Sequence, residues 1–495
     1  MINQNSIDKL RKQKIPKQRL LIGDEWIKSL SGEQQDVISP IDGTILTSLE
    51  KADEEDVNTA VLSSRRTFER GDWALMPPLN RKKVMLKIAD LIEENMLELA
   101  VLGVRDNGTE INMALKAEPG SAAATFRYYA EAIDKIYGQI APTPDNFLGL
   151  IHREPIGVVG AIVPWNFPLM IGAWKIAPAL ASGNSVILKP SESASLSLLK
   201  LGELCLKAGL PPGTLNILTG NGSTTGKAIA MHMDIDVLAF TGSGFTGRKL
   251  MEYSARSNMK RLYQELGGKS PNIIFADAKN LREAAKISAM GIFRNSGEVC
   301  VAGSRLLIER SIHDDFLSLM IKEAEDLIVG DPLLMSNDIG AINNYHQLLS
   351  DINFVMSAEK EGGDVVTGGN QINKETGGYY MEPTIISNVR SEMNVFQNEV
   401  FGPVLTVTPF ESEEEAIQLA NSTVFGLASG VWTSDFSRAH KMCKRIRSGT
   451  VYVNTYGGSD STLPLAGVKQ SGNGADKSLH AFDKFTDLKS VWMKL

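Results

Sequence analysis

Residues 158–190 read VVGAIVPWNFPLMIGAWKIAPALASGNSVILKP, and this stretch decides the fold class. Two short apolar runs, VVGAIVP and SVILKP, are typical of buried strands, with a helical segment between them. No charged residue occurs from Gly157 to Trp174, which is long enough to suggest a membrane helix. Pro164 and Pro168 would break such a helix, so we predict a strand, a loop and the start of a helix instead.

The same alternation continues along the chain. Further strands are predicted at LNILTG, VLAFTG and PNIIFA, with helices such as SASLSLLKLGELCLKAG and GRKLMEYSARS between them. A second series begins near Leu281 and includes the strands SRLLIER, VLTVTPF, SGVWTS and VYVNTY. Short apolar strands separated by amphipathic helices predict a parallel sheet covered on both faces. The sequence therefore predicts an α/β protein with two doubly wound domains in tandem.

The flanking segments have other patterns. Residues 37–49 predict two short strands around a turn at Asp42–Gly43, and helical periodicity runs from about Glu55 to Tyr128. Alternating, proline-containing sequence from Lys135 to Arg153 predicts a β-hairpin. The C-terminal FTDLKSVWMKL predicts one more strand.

Length and charge limit the function classes. A chain of 495 residues exceeds one hydrophobic core and indicates two to four domains. The net charge of −7 argues against a nucleic-acid partner, which needs a basic surface. Three cysteines make no disulfide framework and indicate a reducing, cytoplasmic setting, and none of the six histidines has metal-ligand spacing. The basic N-terminus is interpreted as a solvated arm, because no apolar segment follows that would make it a secretory signal.

Glycine-rich loops indicate a dinucleotide site. Residues Gly242–Gly247 match GxGxxG after a predicted strand, with Glu265 at about the distance of a ribose-binding acid. A rival loop, Gly220–Gly226, has one residue too many for this fingerprint. Gly268–Ser270 resembles the end of a phosphate-binding P-loop, but Tyr263 stands where the first glycine of that motif is needed. These loops support phosphate binding at helix N-termini without identifying the enzyme.

Three residues are candidates for chemistry. Cys300 follows Gly297 at a turn, where an exposed thiol facing helix-end dipoles would favour the thiolate. The plainer interpretation is a small buried hydrophobe, which fits Cys205 and Cys443 inside their helical patterns. Glu265 lies beside two glycines and would otherwise be a surface carboxylate. Asn166 lies between prolines and could donate to an oxyanion, although a turn residue is the default there.

These segments together resemble the aldehyde dehydrogenase superfamily, in the family's order, from about Leu20 to Trp492. The segments are PWNFP at 164–168, KPSE at 189–192, FTGS at 240–243, ELGGK at 265–269, GEVC ending at Cys300, EVFGPVL at 399–405, and VNTY with KQSGNG. The resemblance implies Cys300 as nucleophile, Glu265 as the general base for hydrolysis, and Asn166 with the Cys300 N–H as the oxyanion hole. It thereby replaces the ribose-binding interpretation of Glu265.

The resemblance also implies NAD as cofactor, with NADP possible, and no metal. The implied cofactor-binding residues are Pro164, Trp165, Lys189, Ser191, Glu192, Gly222, Gly226, Phe240, Thr241, Gly242, Ser243, Leu266, Gly267, Gln347, Glu399 and Phe401. The implied substrate-binding residues are Phe167, Trp174, Asp460 and Leu465. The carboxylate of Glu192 favours NAD, because it would repel the 2′-phosphate of NADP.

The domain division follows the same resemblance. Residues 1–135 and 154–266 would form the cofactor-binding domain, and residues 267–470 the catalytic domain. Residues 136–153 and 478–495 would form a small β oligomerisation element. An exposed hairpin with a terminal strand offers edges for pairing, so we expect a homodimer or homotetramer.

A narrower resemblance concerns the substrate. FERGDW, YAEAIDKIYG, DSTLP and KQSGNGADKSLHAFDKFTDLKSVW are similar to gamma-glutamyl-gamma-aminobutyraldehyde dehydrogenases, which serve putrescine breakdown. We therefore expect oxidation of an ω-amino or gamma-glutamylamino aldehyde. The alternatives are a broad-specificity aliphatic enzyme, a non-catalytic scaffold that would be expected to lose Cys300, and a CoA-acylating relative that would lack Glu265.

Four positions depart from the usual family pattern. Glu298 stands where Gln is usual, Leu465–Ala466 where Phe-Gly is usual, and Ala475 where Arg is usual. Leu465 bears on the substrate range and Ala475 on a subunit contact. If the Glu298 carboxylate faced Cys300, it would disfavour the thiolate; otherwise it points away.

Overall fold

Two large sheets dominate the computed structural model, which describes residues 2–458 and 460–495. The first sheet has five parallel central strands with shorter antiparallel strands at its edges. Its strands in spatial order are Glu25–Ile27, Leu20–Ile22, Leu215–Ile217, Ser185–Lys189, Val158–Ile162, Val237–Gly242, Arg261–Leu266 and Gly472–Asn473. The strand, loop and helix predicted around Pro164 are confirmed, since a helix spans Pro168–Ala181.

The second sheet is parallel except at one edge. Its strands in spatial order are Asp364–Thr367, Thr384–Ser387, Val404–Phe410, Arg305–Glu309, Pro271–Ile274, Ala428–Trp432 and Thr450–Val453. Helices pack on both sheets, as the alternating pattern predicts. The longer helices are Gln4–Arg11, Glu54–Arg70, Pro78–Glu94, Met96–Asn107, Ser121–Ala132, Pro168–Ala181, Leu196–Lys207, Gly244–Arg256, Leu281–Phe293, His313–Glu325, Tyr345–Lys360, Glu413–Asn421 and Phe436–Arg445.

The smaller elements confirm the predicted hairpins. Phe147–Pro155 pairs with Gln139–Ala141 on one side and with the C-terminal strand Thr486–Lys494 on the other. Gln34–Ile38 pairs with Ile45–Glu50. The other pairs are Gln371–Ile372 with Tyr380–Met381 and Leu465–Ala466 with Ala475–Asp476. The short helical segments are Ile111–Leu115, Lys116–Gly120, Ile133–Lys135, Gly222–Gly226, Lys227–Met231, Arg294–Gly297, Arg310–Ile312, Lys374–Thr376, Asn394–Gln397, Lys469–Ser471 and Leu479–Lys484.

Three sequence-based expectations need correction. PNIIFA belongs to the second sheet, as Pro271–Ile274, because it pairs with Arg305–Glu309. Arg261–Leu266 is a strand that its mixed polar sequence did not predict. Cys205 is buried as expected, but Cys443 lies on the exposed face of its helix. Within residues 2–458 and 460–495, no helix is long and apolar enough to cross a membrane.

Candidate active site

The candidate site lies where the five parallel strands of the first sheet end. Because parallel strands share one carboxyl edge, the loops after Leu215–Ile217, Ser185–Lys189, Val158–Ile162, Val237–Gly242 and Arg261–Leu266 meet there. Ligands of doubly wound sheets bind at this edge. The predicted Asn166, Glu192, Gly222, Ser243 and Gly267 all follow these strands.

The candidate nucleophile follows an unusual turn. Asn295, Ser296 and Gly297 have positive φ angles of 49, 54 and 74°. A Cβ atom on Gly297 would lie 2.1 Å from the carbonyl oxygen of Gly402, so only glycine fits. This turn brings Cys300 over the end of the first sheet, and the thiol is half-buried.

Cys300 faces the carboxyl group of Glu265. Glu265 is buried at 3% exposure near the end of its strand, and its Oε1 atom has no hydrogen-bond partner among the described residues. Burial raises the pKa of Glu265 to about 7, while Lys175, Cys300 and Thr241 partly oppose this rise. Burial and the neighbouring Glu265 raise the pKa of the Cys300 thiol well above its ordinary value. The sequence predicts a turn that lowers the pKa of this thiol, so the prediction is wrong about the direction of the shift.

A buried ionic cluster that the sequence did not reveal lies next to Glu265. Asp476 accepts from the ammonium groups of Lys175 and Lys484, and all three side chains are at most 4% exposed. The charges of Lys175 and Asp476 act on the pKa of Glu265 in opposite directions. Lys175 stands within an apolar helix, 301 residues before Asp476, so no local pattern joins them.

Asn166 is hydrogen-bonded to the loop that carries Cys300. It is 4% exposed, and its Nδ2 atom donates to the carbonyl oxygen of Glu298 at 2.9 Å. An amide nitrogen has two hydrogens, so one remains for a ligand. The Cys300 N–H donates to no acceptor within the described part of the chain. The Cys300 loop and the Asn166 side chain bonded to it thus each retain an N–H donor.

Glu298 points away from this site. Its Oε1 atom accepts from the Asn343 N–H at 2.9 Å. Burial raises its pKa well above the ordinary value, and the nearby carboxyl group of Asp351 adds to the rise. Glu298 is not among the groups that shift the pKa of Cys300. The Glu298 carboxyl is therefore bonded to Asn343, and the thiol pKa is raised by burial and by Glu265 and Glu399.

Groups suited to a dinucleotide lie at the same edge of the first sheet. Ser243 caps the helix Gly244–Arg256 by accepting from the Thr246 N–H, and a helix N-terminus is suited to binding phosphate. Lys189 is buried, with Nζ 3.4 Å from the carboxylate of the half-exposed Glu192. A Cβ on Gly222 would meet nothing within 4 Å, so backbone borders open space there. These groups suit phosphate and ribose hydroxyls.

Glu399 lies against the strand that carries Glu265. Its Oε1 accepts from the Gly268 N–H at 2.8 Å, and a Cβ on Gly267 would lie 2.0 Å from Oε2. Phe401, at a φ of 64°, packs edge-on against Trp165 with ring centroids 5.3 Å apart. The remaining predicted cofactor residues on this edge are Pro164, Ser191, Gly226, Phe240, Thr241, Gly242 and Leu266.

Gln347 is bonded to protein atoms. Its Nε2 donates to the Val400 carbonyl at 2.9 Å and to Asp351 at 2.7 Å. Gln347 thereby holds the main chain between Glu399 and Phe401.

The predicted substrate residues divide into a buried and an exposed group. Phe167, Trp174 and Leu465 are at most 9% exposed. Asp460 is exposed and bonds within its own loop, accepting from the N–H and hydroxyl of Thr462 at 2.8 and 2.7 Å. Burial raises the pKa of Tyr128, and the Asp460 charge raises it further, so the two lie close together.

Comparison with known proteins identifies the family. The model of the aldehyde dehydrogenase family matches residues 26–491. The chain belongs to the aldehyde dehydrogenase family. It is 46% identical over 477 residues, 96% of each chain, to the NADP/NAD-dependent aldehyde dehydrogenase PuuC of Escherichia coli strain K12. This confirms the resemblance and the α/β architecture on which the sequence-based expectations rest.

Solved structures of other aldehyde dehydrogenases have the same fold. An indole-3-acetaldehyde dehydrogenase in complex with NAD+ is 47% identical, with a TM-score of 0.99 and full coverage of both chains. The gamma-glutamyl-gamma-aminobutyraldehyde dehydrogenase of Burkholderia cenocepacia J2315 is 43% identical, with a TM-score of 0.98 and full coverage of both.

Proposed function

We propose that this aldehyde dehydrogenase uses NAD to oxidise an aldehyde to its carboxylate through a thioester on Cys300. The observation that carries the proposal is the pairing of Cys300 with Glu265 beside two unused N–H donors. A thiol, a base and an oxyanion site are what covalent acyl chemistry needs. Retention of both Cys300 and Glu265 argues against a scaffold and against transfer to CoA.

The groups at this edge of the first sheet fit NAD. Lys189 and Glu192 would hold the adenosine ribose, Ser243 the pyrophosphate, and Glu399 the second ribose. Bound there, NAD supplies the hydride acceptor. Glu192 favours NAD over NADP, because its carboxylate suits a ribose hydroxyl and repels a phosphate. Lys189, 3.4 Å away, reduces this discrimination.

The protein's own groups carry the protons. Glu265 takes the thiol proton as the Cys300 sulfur bonds to the aldehyde carbon, and the Asn166 amide and Cys300 N–H receive the resulting oxyanion. Once hydride transfer has formed the thioester and Glu265 has lost that proton to solvent, Glu265 removes a proton from the water that attacks the thioester. The C–S bond then breaks, the acid is released, and the Cys300 sulfur regains a proton from Glu265. A carboxyl with a pKa of about 7 exchanges protons readily at neutral pH.

The test of this mechanism is Cys300→Ala. We expect dehydrogenase and esterase activities to fall by several orders of magnitude while the fold persists, because a nucleophile is lost. Steady-state rates and a thermal unfolding curve check this. Retention of more than about 1% of the wild-type rate would rule out the covalent route.

For the substrate we infer an ω-amino or gamma-glutamylamino aldehyde. The resemblance to gamma-glutamyl-gamma-aminobutyraldehyde dehydrogenases supports this choice. In this proposal the Asp460 carboxylate attracts the polar tail of the substrate. The alternative role is local, since the bonds that Asp460 accepts from Thr462 are those of a residue that caps its own loop. The similarity to an indole-3-acetaldehyde dehydrogenase keeps an apolar aldehyde as the alternative.

Asp460→Asn separates recognition from loop structure. We expect KM to rise severalfold for 4-aminobutanal and to stay level for a plain aliphatic aldehyde. Only the amino substrate has an ammonium group that the Asp460 carboxylate can attract. Equal changes on both substrates would assign Asp460 to its loop.

We also propose the domain division and assembly stated above. The three-stranded sheet leaves Ile140, Leu488 and Trp492 more than 60% exposed, which supports pairing of this element in a homodimer or homotetramer. The free thiols of Cys205, Cys300 and Cys443 suit a reducing cytoplasm.

A further inference from the structure

Asn295 connects the two loops that carry the proposed chemistry. It is 1% exposed, and its Nδ2 atom lies 3.3 Å from the carbonyl oxygen of Asn166 and 3.3 Å from that of Glu298. The first carbonyl belongs to the oxyanion loop, and the second lies two residues before Cys300. One buried amide thus bridges both loops.

The same carbonyl of Glu298 also accepts from the Asn166 side chain, at 2.9 Å. Two amides therefore converge on one oxygen atom. Because Asn295 fixes this oxygen and the Asn166 backbone together, it sets the direction in which the remaining Asn166 N–H points. That N–H is the one available to an oxyanion.

Thr109 fixes which way the Asn295 amide is turned. The Thr109 hydroxyl donates to Asn295 Oδ1 at 2.6 Å, so that oxygen faces Thr109 and the NH₂ group faces the two loops. Thr109 is 2% exposed, and its own N–H donates to Asn107 Oδ1 at 2.9 Å. The end of the helix Met96–Asn107 therefore anchors the arrangement.

We propose that Asn295, oriented by Thr109, is a positioning residue that aligns the Asn166 amide with the Cys300 sulfur. It touches no reacting atom and acts only through these two loops. The inference rests on the proposed function, since it assumes that Asn166 receives the oxyanion. Small misplacements of such groups slow reactions strongly, by up to about a hundredfold for 1 Å.

The test measures the pre-steady-state NADH burst, which reports acylation. Asn295→Asp keeps the size and the tolerance for positive φ but loses the NH₂ donor. We expect the burst rate constant to fall about tenfold to a hundredfold, with the Kd for NAD within about twofold of wild type. An unchanged burst would overturn the proposal.

Thr109 variants provide a second and milder test. Thr109→Val removes the hydroxyl at constant shape. It should slow the burst about threefold to tenfold, because the Asn295 amide loses its orienting hydrogen bond and misplaces its donor. Thr109→Ser keeps the hydroxyl and should retain the wild-type burst. Thr408→Val is the control, since it removes a buried hydroxyl that bonds only the Val389 carbonyl in the second sheet. If the serine variant is as slow as the valine variant, the hydroxyl has no orienting role and the proposal fails.

The Asn166→Ala background separates this inference from the proposed function. If Asn295 acts through Asn166, Asn295→Asp should slow the burst less than about twofold once Asn166 is alanine, because coupled residues are non-additive. A full additional loss would mean that Asn295 acts elsewhere. If Asn166→Ala is slow while Asn295→Asp is normal, only the inference is wrong. A normal burst in Asn166→Ala would refute the oxyanion assignment and the inference together.

Discussion

Two buried glutamates, Glu265 and Glu298, differ in what their carboxyl oxygens contact. Glu265 lies on a strand, its carboxyl group faces Cys300, and its Oε1 has no partner among the described residues. Glu298 lies on the nucleophile loop and binds the Asn343 N–H. Burial raises the pKa of both. The comparison teaches that a raised pKa alone does not identify a base; an unused oxygen directed at the reacting group does.

The most direct test of this difference between Glu265 and Glu298 is to change each glutamate to glutamine. Glu265→Gln should lower turnover about a hundredfold or more, because a general base is lost. Hydride transfer forms the thioester before water attacks it, so a burst of NADH should survive, at a lower rate constant because Glu265 also takes the thiol proton. Stopped-flow and steady-state rates measure both quantities.

Glu298→Gln in the same assay is the matched control for that experiment. It should leave turnover within about twofold of wild type, because the Glu298 carboxyl is bonded to the Asn343 N–H and a glutamine oxygen can still accept that bond. Similar losses of turnover in Glu265→Gln and Glu298→Gln would mean that facing the Cys300 thiol does not distinguish the roles of the two glutamates.

The pH dependence of thioester hydrolysis sharpens the comparison further. Glu265 must be ionised to take a proton from water, and its pKa is about 7. The deacylation rate should therefore rise with pH and level off above about 7, falling close to tenfold per pH unit on the acid side. Glu298→Gln should keep this inflection and Glu265→Gln should lose it. A flat single-turnover profile between pH 5.5 and 8 would contradict the assignment.

The smallest expected effect concerns stability. The pKa of Glu298 is raised in the folded state, so the unfolded chain ionises first and wild-type stability falls as pH rises above the ordinary glutamate pKa. Glu298→Gln removes this loss and should gain stability over wild type between pH 5 and 8, at most about 1.4 kcal/mol per pH unit. Urea unfolding at several pH values measures the difference. A constant difference across that range would mean that Glu298 is ionised in the fold.

The sequence predicted the parallel strands well, because runs such as VVGAIVP and SVILKP are buried on both faces. It did not predict the strand Arg261–Leu266, where Gln264 and Glu265 are buried polar residues in a short segment. Function explains that failure, since the end of this strand carries the candidate base.

The sequence predicted which residues form the site, but it did not predict their burial, their charged neighbours or their pKa shifts. The family motifs named Cys300, Glu265 and Asn166, and the fold brings all three together. The raised thiol pKa and the cluster around Asp476 depend on long-range contacts, such as the Lys175–Asp476 pair. Such contacts have no local pattern from which to be predicted.

Residues 472–484 complete the site from the far end of the chain. Gly472 pairs with Glu265 in the first sheet, Asp476 binds Lys175, and the Ser478 carbonyl accepts from the Tyr129 hydroxyl. Each contact spans two hundred residues or more of sequence, so the loops between partners must close before the site exists. During synthesis on the ribosome, the first sheet can form most of its strands early, but the chemistry must wait until almost the whole polypeptide has emerged.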